Sequence, residues 1–203
     1  MMISSYNKDG IGDVLLVMTE NSSSKDQDFE SKKKITRIFN KDSKKTVGYN
    51  FFDISNHLSI DGNGPIILDK DQIKSMNHYL LEEGFTEQFE YDESPKFVVG
   101  YVKECVSHPN SDHLSITQIV VDNDEVIQIV CGASNIATGQ KVVVAKAGAM
   151  MPDGTPIWDG ELRGESSRGM VCSAKELGLK EISTKKGILV LPDSAVIGTE
   201  FKN

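Results

Sequence analysis

The sequence lacks the features that mark a membrane protein, a disulfide scaffold or a zinc protein. Its N-terminal apolar run, Val14-Leu15-Leu16-Val17-Met18, is too short to span a bilayer, and no basic lead-in suggests a signal peptide. The sequence contains three cysteines, an odd number, and none of them forms a Cys-x-x-Cys pair. We therefore expect a cytoplasmic protein with no membrane association and with reduced, mostly buried thiols at Cys105, Cys131 and Cys172.

Motifs for catalysis and for cofactor binding are also missing. No Gly-Lys dipeptide or Gly-x-Gly-x-x-Gly fingerprint occurs, which argues against nucleotide sites of those kinds. Gly164–Gly169 comes close to a nucleophile elbow, but Arg168 stands where that motif needs a glycine after Ser166. Asp159 and Glu161 alternate along a predicted strand, and nothing nearby would separate their pKa values. The sequence predicts neither an enzyme nor a small-molecule cofactor.

Histidines do not indicate a metal site. The segment His108–His113 contains two histidines and an aspartate, but its proline and irregular spacing do not place both rings on one face. His57 and His78 have no partners at metal spacing. We expect no bound metal.

A basic excess, which usually marks a protein that binds nucleic acid, is absent as well. The net charge is −8. Residues 1–96 carry twelve Lys/Arg against seventeen Asp/Glu, and residues 97–203 carry ten against thirteen. Any affinity for RNA must come from local patches and stacking, and salt should weaken it strongly.

The N-terminal part of the sequence has the pattern of a small α+β domain. Apolar alternation predicts strands over Asp13–Thr19 and Lys34–Phe39, paired as a hairpin with a long loop, and another strand over Thr46–Ile54. Asp69 can cap a helix that Gly84 ends. We interpret Lys32-Lys33-Lys34 as a solvated strand start that guards a sheet edge, in preference to a phosphate contact.

A boundary follows near residue 90, where the acidic segment Glu87–Pro95 precedes β-rich sequence. The predicted domains are 1–89, α+β, and 90–203, mainly β. The second contains five predicted strands, with a suspected bulge around Gln118 and a short helix inserted late. These strands are Phe97–Val106, Leu114–Val121, Val126–Val130, Val142–Ala145 and Ile188–Leu191.

Three segments of the second domain carry a family resemblance. They are His108–Ser115, Val130–Asn135 and Gly164–Leu179. In this order the segments resemble the tRNA-binding domain, an oligonucleotide-binding (OB) barrel. That domain occurs in the beta subunit of bacterial phenylalanyl-tRNA synthetase, in methionyl-tRNA synthetases and in the endothelial monocyte-activating polypeptide family. The N-terminal part resembles, more loosely, the first domain of the bacterial YtpR family.

The resemblance implies a tRNA-binding region around Ser167, Arg168 and Met170. Arginine can grip phosphate or stack on a base, serine can bond a phosphate or a 2′-hydroxyl, and methionine can lie against a base. The chemistry alone leaves open that this segment simply packs, with Ser173 capping a helix over Ala174–Leu177. Cations that could complete the patch are Lys103, Lys141, Lys146 and Arg163.

The loop before the second barrel strand has a structural role in that family. Pro109 would fix its turn, while Asn110 and Asp112 would hold it through side-chain to backbone hydrogen bonds. Family members usually carry lysine where this chain has His113, so we expect a pH-dependent contribution to affinity there.

These observations predict non-catalytic tRNA binding, by shape and backbone more than by sequence. The rival function is a protein-interaction module that keeps the barrel without binding RNA. Convergence of Lys103, Lys146, Arg163 and Arg168 on one face would distinguish the two. Some relatives form dimers through this domain, so the resemblance leaves a homodimer open.

Overall fold

The computed structural model describes residues 1–179 and 186–202, which form two compact units, Met1–Glu93 and Ser94–Asn203. The first unit is a six-stranded antiparallel sheet with strand order β3-β4-β5-β2-β1-β6. Its strands are β1 (Ile3–Tyr6), β2 (Val14–Met18), β3 (Gln27–Lys32), β4 (Ile35–Asn40), β5 (Thr46–Phe52) and β6 (Gly64–Ile66). Its helices are α1 (Lys8–Ile11) and α2 (Lys70–Glu82), with 3₁₀ turns at Ser24–Asp26 and Ile54–Asn56.

Helix α2 covers one face of this sheet, as its helical stripe of apolar residues predicts. Asp69 caps it: the side chain accepts from the Gln72 amide at 2.8 Å, and the Gln72 side chain bonds back to the Asp69 amide. Gly84, with φ +79°, follows the end of the helix. The core packs the helix stripe against the inner residues of the central strands, among them Ile73, Met76, Leu80, Leu15, Tyr49 and Phe51.

The predicted pairing of the first strands is wrong. Strand β4 forms its hairpin with β3, and β2 lies between β1 and β5. Strand β3 was predicted as loop because four of its six residues are exposed, so that an edge strand carries no apolar alternation.

The lysine run lies in the tight turn between β3 and β4, with Lys33 at φ +47°. Lys32 donates to the Gly84 carbonyl at 2.7 Å, and Lys33 pairs with Glu83 at 2.9 Å. Both contacts lie at the C-terminal end of α2, where cations are favourable. Lys32 and Lys33 therefore fasten the hairpin to the helix, whereas Lys34 pairs with Asp53.

The second unit is an OB-type barrel, nearly closed, of five principal strands in the order β13-β10-β7-β8-β9, with β14 also paired to β10. Its strands are β7 (Phe97–Ser107), β8 (Ser115–Val120), β9 (Val126–Cys131), β10 (Lys141–Ala145), β13 (Met170–Val171) and β14 (Val190–Leu191). Strands β11 (Asp159–Leu162) and β12 (Glu165–Arg168) form a separate hairpin, and a 3₁₀ turn spans Asp122–Asp124. None of the described helices, in either unit, is long and apolar enough to cross a membrane.

The bulge is real, but it lies in β7 and not in the strand that contains Gln118. Val102 pairs with Ile119 and Glu104 pairs with Gln118, so Lys103 is the extra residue. Strand β8 alternates regularly, because Thr117 occupies an inward position with its hydroxyl donating to the Ile129 carbonyl at 2.7 Å. Because Thr117 is polar, it interrupts the apolar alternation of β8, and the sequence pattern therefore imitates a bulge in this strand.

The helix predicted after Met170 is a single hydrogen-bonded turn. Ser173 and Glu176 cap each other reciprocally, at 2.7 and 3.2 Å, and the Leu177 amide bonds the Ser173 carbonyl. Gly178, with φ +73°, ends the turn. Leu177 packs with Val143 and Cys172 in a second cluster on the outer side of β10, which explains why β10 is apolar on both faces.

Candidate nucleic-acid interface

The outer face of β7, β8 and β9 carries three cross-strand rows, in which Val130 alone is buried. Inward positions of these strands belong to the barrel core, so the alternate positions face outward. Apolar rows lie at the two ends, and a polar row lies between them, in which Gln118 Nε2 donates to Gln128 Oε1 at 2.9 Å. The rows are Tyr101-Val120-Val126, Glu104-Gln118-Gln128 and Val106-Ile116-Val130.

The β11–β12 hairpin lies beside β9 and extends this surface. Its two-residue turn, Arg163-Gly164, has φ of +52° and +89°, the positive values that a tight hairpin needs. Gln128 Nε2 donates to the Ser166 carbonyl at 2.9 Å. Cross-strand partners lie on one side of a hairpin. The face that points away from this contact therefore carries the pairs Asp159–Arg168 and Glu161–Ser166.

Ser167 joins the hairpin to the barrel strand β9. Its hydroxyl oxygen accepts the Val130 amide at 3.2 Å, and the hydroxyl donates to the Gly169 carbonyl at 3.4 Å. Among the described residues no main-chain ladder joins β9 to β12, so side chains from both strands make this seam. The serine predicted as an RNA contact thus has a structural task in the free protein.

Arg168 lies at the base of the hairpin and is half exposed. Its guanidinium contacts Glu125 at 3.1 Å and Asp159 at 4.0 Å. Lys146 is less accessible, with 15% of its side chain exposed, and its ammonium bonds both carboxylate oxygens of Asp122 at 2.7 and 2.8 Å. The two cations therefore bind acidic residues of the same β8–β9 turn.

Arg163 lies at the opposite end of the hairpin, beside the loop that follows β7. It donates to the Asn110 carbonyl at 3.3 Å. The loop is organised by the buried His108, whose Nδ1 accepts the Asn110 amide at 3.0 Å. His108 Nε2 is therefore the protonated nitrogen, and it donates to the Leu162 carbonyl at 3.3 Å. His108 and Arg163 together tie this loop to the hairpin.

At the exposed end of that loop, the adjacent residues Asp112 and His113 contact each other. His113 Nδ1 lies 2.9 Å from Asp112 Oδ1. This hydrogen bond with His113 lowers the pKa of Asp112, which is fully exposed. A carboxylate thus accompanies His113 at the exposed end of this loop.

Lys103, the bulged residue of β7, is exposed, and Met170 is partly buried. Met170 lines a groove of about 420 Å³ together with Cys131, Gly132, Ser173 and Ile188, among others. Burial raises the pKa of the Cys131 thiol, and it raises that of Cys172 to about 12. Both are therefore neutral at physiological pH.

The predicted site residues thus form separate groups. Arg163 and Asn110 meet at one end of the hairpin, and Arg168 and Lys146 bind the turn at the other end, about 16 Å away by strand geometry. Lys141 donates to the carbonyls of Asp193 and Ala195.

Sequence reasoning missed the hydrogen-bonded pair Gln118–Gln128 and the contact of His108 with the hairpin. The outward alternation of Gln118 and Gln128 was the available signal.

Two family models match the chain. Residues 97–200 match the model described as "Putative tRNA binding domain", and residues 22–92 match "Domain of unknown function (DUF4479)". The chain is 46% identical, over 97% of its length and 98% of the relative's, to the "Putative tRNA-binding protein YtpR" of Bacillus subtilis.

Similarity to longer proteins is confined to part of each of them. The phenylalanine–tRNA ligase beta subunit of Halalkalibacterium halodurans is 48% identical over 51% of this chain and 13% of its own length. The solved C-terminal domain of Plasmodium vivax p43 is 26% identical, with a TM-score of 0.36, over 50% of this chain and 56% of that one. The first relative is matched from end to end and the domain model covers the barrel unit, so this chain belongs to the YtpR family of proteins with a tRNA-binding domain.

Proposed function

We propose that this chain binds tRNA through its barrel unit and carries out no catalysis. The observation that supports this most is an outward-facing three-strand surface with a cation at each end of the adjoining hairpin, in a chain whose family relatives are named for tRNA binding. We place the function in the cytoplasm. A homodimer through the barrel remains a prediction.

The proposed recognition is of backbone and shape. Arg163, Arg168 and Lys103 would contact phosphates, and the apolar row that contains Tyr101 would lie against a base or ribose. Met170 would offer a soft contact at the groove. Ser167 would act by holding β12 in place, and Lys146 by fixing the β8–β9 turn beneath Arg168.

Affinity should be modest, because the chain has a net charge of −8 and Arg168 is paired with acidic residues. Three phosphate contacts give a slope of log K against log salt of about −2.7 at most. Raising salt fourfold should therefore weaken binding roughly 40-fold. Arg168 must break its ion pair with Glu125 before it can bind a phosphate. Its contribution to the free energy of binding is therefore smaller than that of an unpaired arginine.

The test is fluorescence anisotropy of labelled bulk tRNA with the full chain at two salt concentrations. Arg168→Ala should weaken binding several-fold, while Lys74→Ala, on an exposed site of α2, should leave it unchanged. Absence of binding at low salt by folded protein would overturn the proposal and favour the protein-interaction function. Two observations would support that second function: Arg168 and Lys146 pair with acidic residues, and Arg163 lies at the other end of the hairpin, so that these cations do not converge.

A further inference from the structure

Gln118 and Gln128 lie side by side on the outer face of the barrel, and neither takes part in the phosphate contacts of the proposed function. Gln118 Nε2 donates to Gln128 Oε1 at 2.9 Å. Gln128 Nε2 in turn donates to the Ser166 carbonyl at 2.9 Å. Both glutamine side chains are partly exposed, and neither belongs to the barrel core. The pair is therefore a polar element of the surface itself.

The hydrogen bonds fix which way each amide group points. A main-chain carbonyl only accepts hydrogen bonds, so the atom of Gln128 that contacts Ser166 is the nitrogen. Gln128 Oε1 then faces Gln118, which must present its own nitrogen to it. One N–H of Gln118 and its Oε1 have no partner among the residues that the structure describes. A donor and an acceptor thus stand side by side on the surface, held in one orientation.

Carboxylates flank the glutamine pair on both sides. Glu104, the exposed cross-strand neighbour of Gln118, lies on the β7 side. Glu165 Oε2 lies 3.4 Å from Gln128 Nε2 on the hairpin side. These negative charges disfavour a phosphate group above the glutamines. A neutral group with N–H donors is favoured there instead, because a carboxylate only accepts hydrogen bonds.

The apolar row Tyr101-Val120-Val126 runs beside the glutamines. Val120 lies two residues, or about 6.8 Å, from Gln118 along β8. Tyr101 and Val120 are partly exposed, and Val126 is 41% exposed. A planar base that lies on this row can therefore present its edge to Gln118. Lys103, exposed at the adjacent bulge of β7, can bind a phosphate of the same strand.

We propose that Gln118 selects an unpaired base that carries an amino group next to an acceptor ring nitrogen, as adenine and cytosine do. Its Oε1 accepts from the amino group, and its free N–H donates to the ring nitrogen. Glu104 accepts the second hydrogen of the amino group. Uracil and guanine place a carbonyl oxygen at that position, which the carboxylate repels. This inference rests on the proposed tRNA binding, and it adds one base-dependent contact to recognition by backbone and shape.

Anisotropy titrations of labelled oligo(A), oligo(C) and oligo(U) with the full chain at low salt test this selection. Wild type should bind oligo(A) and oligo(C) about fivefold more tightly than oligo(U), the lower end for a bidentate base contact. Gln118→Met keeps the length of the side chain but removes both hydrogen-bonding groups, so it should abolish the preference. Gln88→Met makes the same change at an exposed residue of the first unit and should leave the preference unchanged.

Glu104→Gln provides a second measurement at an exposed residue, where the substitution does not disturb packing. Loss of the charge should strengthen binding to every oligonucleotide. The new amide can also donate to the uracil oxygen, so oligo(U) should gain more than oligo(A), and their ratio should fall. An unchanged ratio would exclude Glu104 from the selection.

Bulk tRNA is titrated in parallel, and circular dichroism confirms that each variant is folded. A chain that binds tRNA but binds the three oligonucleotides alike overturns this inference and leaves the proposed function intact. A preference that survives Gln118→Met also overturns it, because another residue must then read the base. Absence of binding to tRNA and to the oligonucleotides overturns both proposals.

Discussion

Lys146 donates to both carboxylate oxygens of Asp122, and only 15% and 12% of the two side chains are exposed. The pair joins the end of β10 to the β8–β9 turn. A cation held this way is unavailable to phosphate and serves the stability of the fold.

Lys146→Met should therefore destabilise the barrel unit by about 2–3 kcal/mol, because it leaves a largely buried carboxylate unpaired. Urea unfolding followed by the fluorescence of Trp158, the single tryptophan, measures this in the unit concerned. Lys202→Met breaks an exposed pair with Glu200 and should have almost no effect. Equal effects of the two substitutions would contradict the structural role of Lys146.

Glu125→Gln should raise tRNA affinity about threefold, since it releases Arg168 from a competing carboxylate and removes a negative charge. Glu20→Gln is the control, because it breaks an exposed pair with Lys45 and changes the net charge equally. Anisotropy titrations of the two variants against wild type provide the comparison. If both gain alike, net charge alone accounts for the effect.

Lys103→Ala should weaken tRNA binding with no loss of stability, because this side chain is exposed at a bulge and no described residue pairs with it. Removing one phosphate contact should reduce the salt slope by about 1. Salt titrations of the variant and of Lys74→Ala separate a local contact from a general change in charge. An unchanged slope for Lys103→Ala would remove this residue from the interface.

Gly169→Ala should destabilise the barrel by about 2–4 kcal/mol. The glycine has φ +133°, and an added Cβ would lie 2.7 Å from the Ala145 carbonyl oxygen. Gly160→Ala, in the neighbouring hairpin strand, meets nothing within 4 Å and should be nearly neutral. Trp158 fluorescence in urea detects the difference, and similar midpoints for the two variants would refute this argument.

Stability of the first unit should depend on pH through Glu87. Burial raises the pKa of this carboxyl, but hydrogen bonds from Thr46 and Tyr49 and the charge of Arg37 outweigh it, so that the pKa is lowered. The stabilisation is therefore present above the unfolded value of 4.5 and is lost as pH falls through the folded pKa.

Glu87→Gln should thus cost stability at pH 6 and much less at pH 3. The side chain is 42% exposed, so after solvent screening the difference should not exceed about 1 kcal/mol. Loss of the far-ultraviolet dichroism of α2 in urea measures it at both pH values. A penalty that is the same at both would show that the charge contributes nothing.

Sequence patterns predicted four of the five principal barrel strands, because these strands are either apolar throughout or alternate. The predicted fifth strand, Ile188–Leu191, is the short β14, and Met170–Val171 takes its place in the barrel. Val142–Ala145 and Val126–Val130 were predicted close to their observed limits. Strand β3 was missed because an exposed edge strand has no apolar period. The bulge was assigned to β8 because a buried Thr117 imitates a slip in the pattern.

Prediction of the candidate site was limited by a different cause. The sequence identifies Arg168, Lys146 and Ser167 as groups able to bind RNA, but their partners lie far along the chain. Glu125 and Asp122 come near the two cations only when the barrel folds, and in the same way the Val130 amide comes to donate to the hydroxyl oxygen of Ser167. Propensity and spacing contain no information on such long-range partners.

The seam between β9 and β12 has a further consequence for motion. Side-chain contacts from Ser167 and Gln128 close it, whereas the neighbouring β8–β9 border is a full main-chain ladder. Local opening should therefore begin there, and the Val130 amide should exchange its hydrogen with solvent faster than the amides that β8 and β9 share. Opening of this seam releases β12 from β9 while the barrel strands keep their main-chain pairing, and the tip of the hairpin stays tied to the β7–β8 loop through Leu162 and Arg163.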